Sequence, residues 1–103
     1  MEKILVLGAG RSATSLITYL LENAITYGWQ VTVADYALQI AEEKINGHPK
    51  AKAIAFDINE RPACAELIDE HEVVISMLPA TFHPVVAEIC LAKKLFFPST
   101  VAQ

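Results

Sequence analysis

Five short β-rich apolar runs recur along the chain, at Ile4–Leu7, Val31–Ala34, Ala53–Phe56, Val73–Met77 and Leu95–Phe97. Their starts lie 27, 22, 20 and 22 residues apart. The intervals carry helical spacing instead. Leu16, Ile17, Leu20, Leu21 and Ala24 fall on one helical face. Leu38, Ala41 and Ile45 do the same, Leu67 and Ile68 anchor a third helix starting near Glu60, and Val85, Val86, Ile89 and Cys90 mark a fourth. Pro62 and Pro84 sit near the starts of the last two, where a missing N–H costs nothing. Gly28 and Gly47 stand where the first two helices should stop. Parallel neighbours need a crossover of a dozen or more residues, usually a helix, so this alternation predicts βαβ units. The apolar fraction of 53% suits strands buried on both faces. The expected fold is therefore one α/β domain over 1–103, a doubly wound parallel sheet of Rossmann type with helices on both faces. A full fold of this kind has strand order 3-2-1-4-5-6; the sequence ends a few residues past the fifth run, so truncation at 3-2-1-4-5 is expected.

Charge and composition exclude several roles. The formal net charge is −4 and no basic stripe exists, so nucleic acid and anionic membrane are not expected partners. No apolar run approaches the roughly 20 residues of a membrane span, and the opening run is too short for a signal peptide. Cys64 and Cys90 fit no metal or redox spacing and read as small buried apolar residues in a reduced, cytoplasmic protein.

The chain holds four glycines, and two of them stand within three residues, at Gly8-Ala9-Gly10. They follow the first strand and open the first helix. Gly8-x-Gly10-x-x-Ala13 is thus the dinucleotide fingerprint with alanine in its third place. Gly8 permits the tight turn, Gly10 lets a pyrophosphate approach the backbone, and Ala13 lets the helix lie close to the sheet. The helix N-terminus offers unpaired N–H groups and partial positive charge. Ser12 adds a hydroxyl donor, and Arg11 reaches either a phosphate or solvent. Asp35 ends the second strand, 22 residues after Ala13. It reads as the acid that accepts from the adenosine ribose 2′-OH, or as a helix N-cap, or as both. No Arg or Lys follows until Lys44, so nothing nearby is placed to hold a 2′-phosphate, which favours NAD over NADP.

Other strand ends should line the same crevice. Asp57 and Ile58, after the third strand, are candidates for the adenine side, with a turn or cap as the alternative for Asp57. Met77, Leu78 and Pro79, after the fourth, are expected near the second ribose or nicotinamide. His83 reads as a helix-start residue, and His48 and His71 as solvated loop residues. The pairs Glu42-Glu43 and Asp69-Glu70 read as solvated helix faces. No catalytic constellation and no metal cluster are expected.

KILVLGAGRSA, VTVAD, AFDINE and above all VVISMLPATFHPVVAEICLAKKLFFPST resemble the N-terminal cofactor domain of the saccharopine dehydrogenase family, which includes homospermidine and carboxynorspermidine synthases. Ile75-Ser76-Met77-Leu78-Pro79 followed by Phe82-His83-Pro84 is the most specific part. The resemblance implies hydride transfer between NAD(P) and an imine or secondary amine of an amino-acid adduct. It maps the pyrophosphate loop onto Gly8–Ala13, the ribose acid onto Asp35, the adenine side onto Asp57 and Ile58, and the nicotinamide side onto Met77–Pro79. Ser99-Thr100 resembles a further stretch near the nicotinamide, which adds Ser99 to the candidates. Family members carry a second domain that binds substrate and supplies acid and base, so the 103-residue chain alone is expected to be inactive. Its expected partners are a dinucleotide and either that missing domain or a second copy paired through the edge of strand five. Two other classes fit the fingerprint. One is a regulatory NAD-sensing domain of the potassium-transporter type, which usually has small, polar residues where this chain has MLPATFHP; the other is a fold relic acting only in protein association.

Overall fold

The computed structural model describes residues 2–90 and 95–98. The elements alternate as expected: β1 (Glu2–Leu7), α1 (Thr14–Tyr27), β2 (Trp29–Asp35), α2 (Leu38–Ile45), β3 (Ala51–Ala55), α3 (Arg61–Asp69), β4 (Val73–Ser76), α4 (His83–Cys90) and β5 (Leu95–Pro98). Single 3₁₀ turns, Arg11–Ala13 and Ala80–Phe82, lead into α1 and α4. All four strand pairs are parallel, in the order β3-β2-β1-β4-β5.

Alternation along β1 decides which side chain meets which layer. Ile4 and Val6 point to one face, where Ile17, Leu20, Leu21 and Ala24 of α1 and Ala41 of α2 cover them. Leu5 and Leu7 point to the other, against Ile68 of α3 and Val86 and Cys90 of α4. A fully buried Val, Leu or Ile contributes about 1.5–3 kcal/mol, so β1, with four such side chains in a row, is the main stabilising strand. Cys64 and Cys90 are both buried, as their reading as apolar residues requires.

The chain winds outward from β1 to β3, then returns to the centre and places β4 on the other flank of β1. The carboxyl ends of β1 and β4 therefore form the switch point, the crevice where α/β sheets bind ligands. Among the described residues, no helix is long and apolar enough to cross a membrane.

One reading is corrected. His71 is not a solvated loop residue: it is 4% exposed, with Nδ1 2.7 Å from the Leu67 carbonyl and Nε2 2.9 Å from Thr32 Oγ1. It fastens the end of α3 to β2, where Thr32 would otherwise bury an unpaired hydroxyl. His48 is half-buried, and its Nδ1 accepts from the Lys50 N–H.

Candidate functional site

The site is assembled from the loop that leaves β1. Gly8 has φ +96°, a conformation that disfavours any side chain. A Cβ there would stand 3.1 and 3.2 Å from the Met77 carbonyl carbon and oxygen and 3.3 Å from Leu78 Cδ2. Gly8 therefore lets the loop after β1 lie against the turn after β4, and the two loops form one crevice. The Met77 N–H donates to the Leu7 carbonyl at 2.7 Å and fixes that contact.

Gly10 differs. Its φ is −71°, and a Cβ there would meet nothing within 4 Å. No protein atom requires glycine at this position. What the missing side chain leaves is open space above the loop, which is the room a phosphate needs to reach the backbone.

Accounting for the N–H groups of the loop defines where an anion would sit. Gly8 donates to the Ala34 carbonyl at 2.7 Å, and Ala9 to Asp35 Oδ2 at 2.6 Å. Ala13 donates to the Gly10 carbonyl at 3.0 Å, and Thr14 to the Arg11 carbonyl. Gly10, Arg11 and Ser12 remain; their N–H groups donate to no acceptor among the described residues. The three residues that carry these consecutive donors are exposed, at the N-terminal end of the 14-residue α1. Such a donor set fits a pyrophosphate. The Arg11 side chain is exposed beside them, and Lys44 of α2 donates from Nζ to Thr14 Oγ1 at 2.7 Å, which brings a second cation to the first residue of α1.

Asp35 is half-buried at the end of β2. Besides the Ala9 N–H, its carboxylate accepts the Ala37 N–H on Oδ1 at 2.9 Å. The capping alternative is thus realised in part: Asp35 closes the turn before α2, whose own N-cap position is Ala37. A carboxylate offers about four lone-pair positions, so two acceptor sites remain for a ribose diol.

Asp57 Oδ1 accepts the Asn59 N–H at 2.9 Å, which is the turn role, while the residue also borders an open groove of about 490 Å³. That groove starts at Tyr36, Phe56 and Asp57 and runs down between β3 and α3. Ile58 packs instead against the core beneath α3 and α4. Met77 and Leu78 divide between the two faces of the sheet, Met77 toward α1 and Leu78 toward α4, and Pro79 is exposed. Ser99 and Thr100 lie outside the described residues. Burial first, then the charges of Asp57 and Glu60, push the Cys64 thiol up, away from the thiolate. Among the described residues, no three His, Cys, Asp or Glu side chains converge on a metal site.

Two residues escaped the sequence pattern. Tyr36 is 79% exposed immediately after Asp35, at the mouth of the groove. Ser76, the last residue of β4, has a fully buried hydroxyl without a partner. An exposed aromatic directly after the strand-two acid is the signal that would have found Tyr36; Ser76 carries none.

The family described as the saccharopine dehydrogenase NADP binding domain matches residues 4–102. A saccharopine dehydrogenase (NADP(+), L-glutamate-forming) of Schizosaccharomyces pombe is 37% identical over 91 residues, covering 88% of this chain and 20% of that protein. The mitochondrial alpha-aminoadipic semialdehyde synthase of Bos taurus is 31% identical over 99 residues, covering 91% and 10%. Apo histidine-tagged saccharopine dehydrogenase (L-Glu forming) from Saccharomyces cerevisiae superimposes with a TM-score of 0.84 at 30% identity, over 100% of this chain and 22% of that one. The chain thus spans about a fifth or less of the length of these relatives.

Proposed function

This chain belongs to the saccharopine dehydrogenase family, as its NADP-binding domain, and from that premise we propose that it is the dinucleotide-holding part of an oxidoreductase acting on amino-acid adducts. The observation that carries this reading is the set of three unpaired N–H groups at Gly10, Arg11 and Ser12, under the open space that Gly10 leaves. In this assignment Gly8 and Ala13 shape the loop, Gly10–Ser12 bind the pyrophosphate, and Asp35 accepts from the adenosine ribose. Tyr36 and Asp57 flank the adenine, with Ile58 supporting that corner from the core. Met77–Pro79 face the nicotinamide half, and Ser99 is assigned to the same side on resemblance alone. When bound, the nicotinamide supplies a hydride acceptor. The reaction takes a hydride from the carbon bearing a secondary amine, releases one proton and leaves an imine; reduction is the reverse. The amino-acid site and the acid and base belong to the remainder of a longer protein.

The family is described as NADP-binding and the name of the Schizosaccharomyces pombe relative carries NADP(+), but the residue at the end of β2 argues for NAD here. A 2′-phosphate adds about 1.5–2 negative charges. At about 4 Å and an effective dielectric near 20, each unit pair repels by roughly 4 kcal/mol before screening. Salt and side-chain movement reduce this to about 2–3 kcal/mol, a preference of roughly 30- to 200-fold for NAD. Arg11 and Lys44 are the cations that work against it. Calorimetric titration of the protein with NAD⁺ and NADP⁺ tests both levels. Tighter NAD⁺ binding is expected. Equal or reversed affinities overturn the choice of NAD, and binding of neither overturns the dinucleotide reading.

A further inference from the structure

The Ala9 N–H does not face the anion site. Ala9 is fully buried, and its N–H points at Asp35 Oδ2, 2.6 Å away and 26 residues along the chain. Directly beside it, the Gly8 N–H is held by the Ala34 carbonyl at 2.7 Å. Two consecutive peptide groups of the glycine loop are thus fastened to two consecutive residues at the end of β2. The second Asp35 oxygen is tied to the Ala37 N–H at 2.9 Å, which stops the carboxylate from turning away. Without this acceptor the Ala9 N–H would be buried and unpaired, and the peptide between Gly8 and Ala9 would rotate to find another partner. Any such rotation moves Gly10, the first of the three free donors.

We infer that Asp35 is a positioning residue of the glycine loop: its carboxylate sets the orientation of the Gly8–Ala9 peptide and thereby aims the Gly10–Ser12 N–H groups at one point, whether or not a ribose is present. The ligand half of this inference rests on the pyrophosphate reading of the loop; the structural half does not. A carboxylate suits the task better than its amide. Asparagine has one acceptor oxygen, so it satisfies Ala9 or Ala37 and turns its own NH₂ toward the other donor.

The experiment separates positioning from ribose contact. Adenosine diphosphate and 2′,3′-dideoxyadenosine diphosphate carry the same pyrophosphate and differ in the ribose diol from which Asp35 would accept. Affinities of both are measured for the wild type, Asp35→Asn and Asp35→Ala, together with amide hydrogen exchange at Ala9 in the unliganded proteins. Loss of a charge-assisted hydrogen bond predicts at least about tenfold faster exchange at Ala9. The same loss predicts a fall of about tenfold in affinity for the dideoxy nucleotide as well as for its parent. Unchanged Ala9 exchange, or an unchanged dideoxy affinity beside a weakened parent, overturns the inference. Wild-type protein that binds neither nucleotide overturns the pyrophosphate reading, while Ala9 exchange still decides whether the loop is held. Should the variants fail to fold, the wild type serves: its Ala9 amide must exchange as slowly as the Gly8 amide held by Ala34, and an Ala9 amide that exchanges like those of Gly10–Ser12 refutes the contact.

Discussion

Replacing Gly8 and Gly10 one at a time by alanine should separate what folds this domain from what serves its ligand. At Gly8 the new methyl group enters at φ +96°, 3.1–3.3 Å from the Met77 backbone and Leu78. Neither side can yield easily, because the Gly8 N–H is tied to Ala34 and the Met77 N–H to Leu7, both at 2.7 Å. Backbone strain of this kind costs about 1–3 kcal/mol, and the stiffer unfolded chain returns about 0.4–1 kcal/mol. With the close contacts added, a net loss of about 2 kcal/mol is expected, which in a domain of this size lowers the melting temperature by roughly 8–16 °C. At Gly10, φ is −71° and the methyl group meets nothing within 4 Å. Gly10→Ala should therefore melt at or slightly above the wild-type temperature, with a gain of up to about 1 kcal/mol. Its loss should appear in dinucleotide affinity, by about tenfold or more, because the methyl group occupies the approach to the three free N–H groups. Thermal unfolding followed by circular dichroism, and titration with NAD⁺, read the two effects separately. A Gly8→Ala protein that melts with the wild type, or a Gly10→Ala protein that binds NAD⁺ unimpaired, refutes the division of labour between the two glycines.

Other outcomes follow from the same structure. Burial holds His71 below its ordinary value of about 6.5, against smaller opposing pulls from the Leu67 carbonyl and Glu70. Because the folded state resists a proton that the unfolded chain accepts, stability should be flat above about pH 7 and fall as pH drops below the unfolded value toward the folded one. Denaturant unfolding of wild type and His71→Gln between pH 7.5 and 5 checks this: the variant should lose that part of the slope, and identical slopes exclude His71 as its source. Among the described residues the outer edge of β5 pairs with no other strand, and an open edge templates pairing; the isolated domain is expected to dimerise there, and a concentration-independent monomer mass in light scattering excludes it. On the proposed division, with the amino-acid site, acid and base outside these residues, the chain alone should reduce NAD⁺ with saccharopine no faster than background, and turnover above it would place acid and base within these residues.

The strand grammar was legible because it is local. Each apolar run became a strand, and the i, i+4 spacing of α1 buried Ile17, Leu20, Leu21 and Ala24. Strand ends were less so. β1 starts at Glu2, not Ile4, since backbone pairing of Glu2 with Trp29 and Lys3 with Gln30 needs no apolar side chain. His71 was hidden by its neighbours: DEHEV reads as solvated, and the partner that buries the imidazole, Thr32, lies 39 residues away. The fingerprint disclosed the loop but not its anchorage, for the Ala9–Asp35 bond spans 26 residues and leaves no periodic trace. Asp57 shows the limit of strand-end reasoning, because the same carboxylate both closes a local turn and borders the groove.

On the proposed function, a dinucleotide pyrophosphate is held by the N–H groups of Gly10, Arg11 and Ser12. Backbone amide resonances followed during titration with NAD⁺ test it directly. These three amides are expected to shift most and gain protection from exchange, while those of Gly8, Ala13 and Thr14, already bonded within the protein, shift little. NAD⁺ that binds with the largest shifts elsewhere, for instance in the cleft of about 380 Å³ between α1 and α2 bordered by Leu21, Ile25 and Ile45, would contradict it.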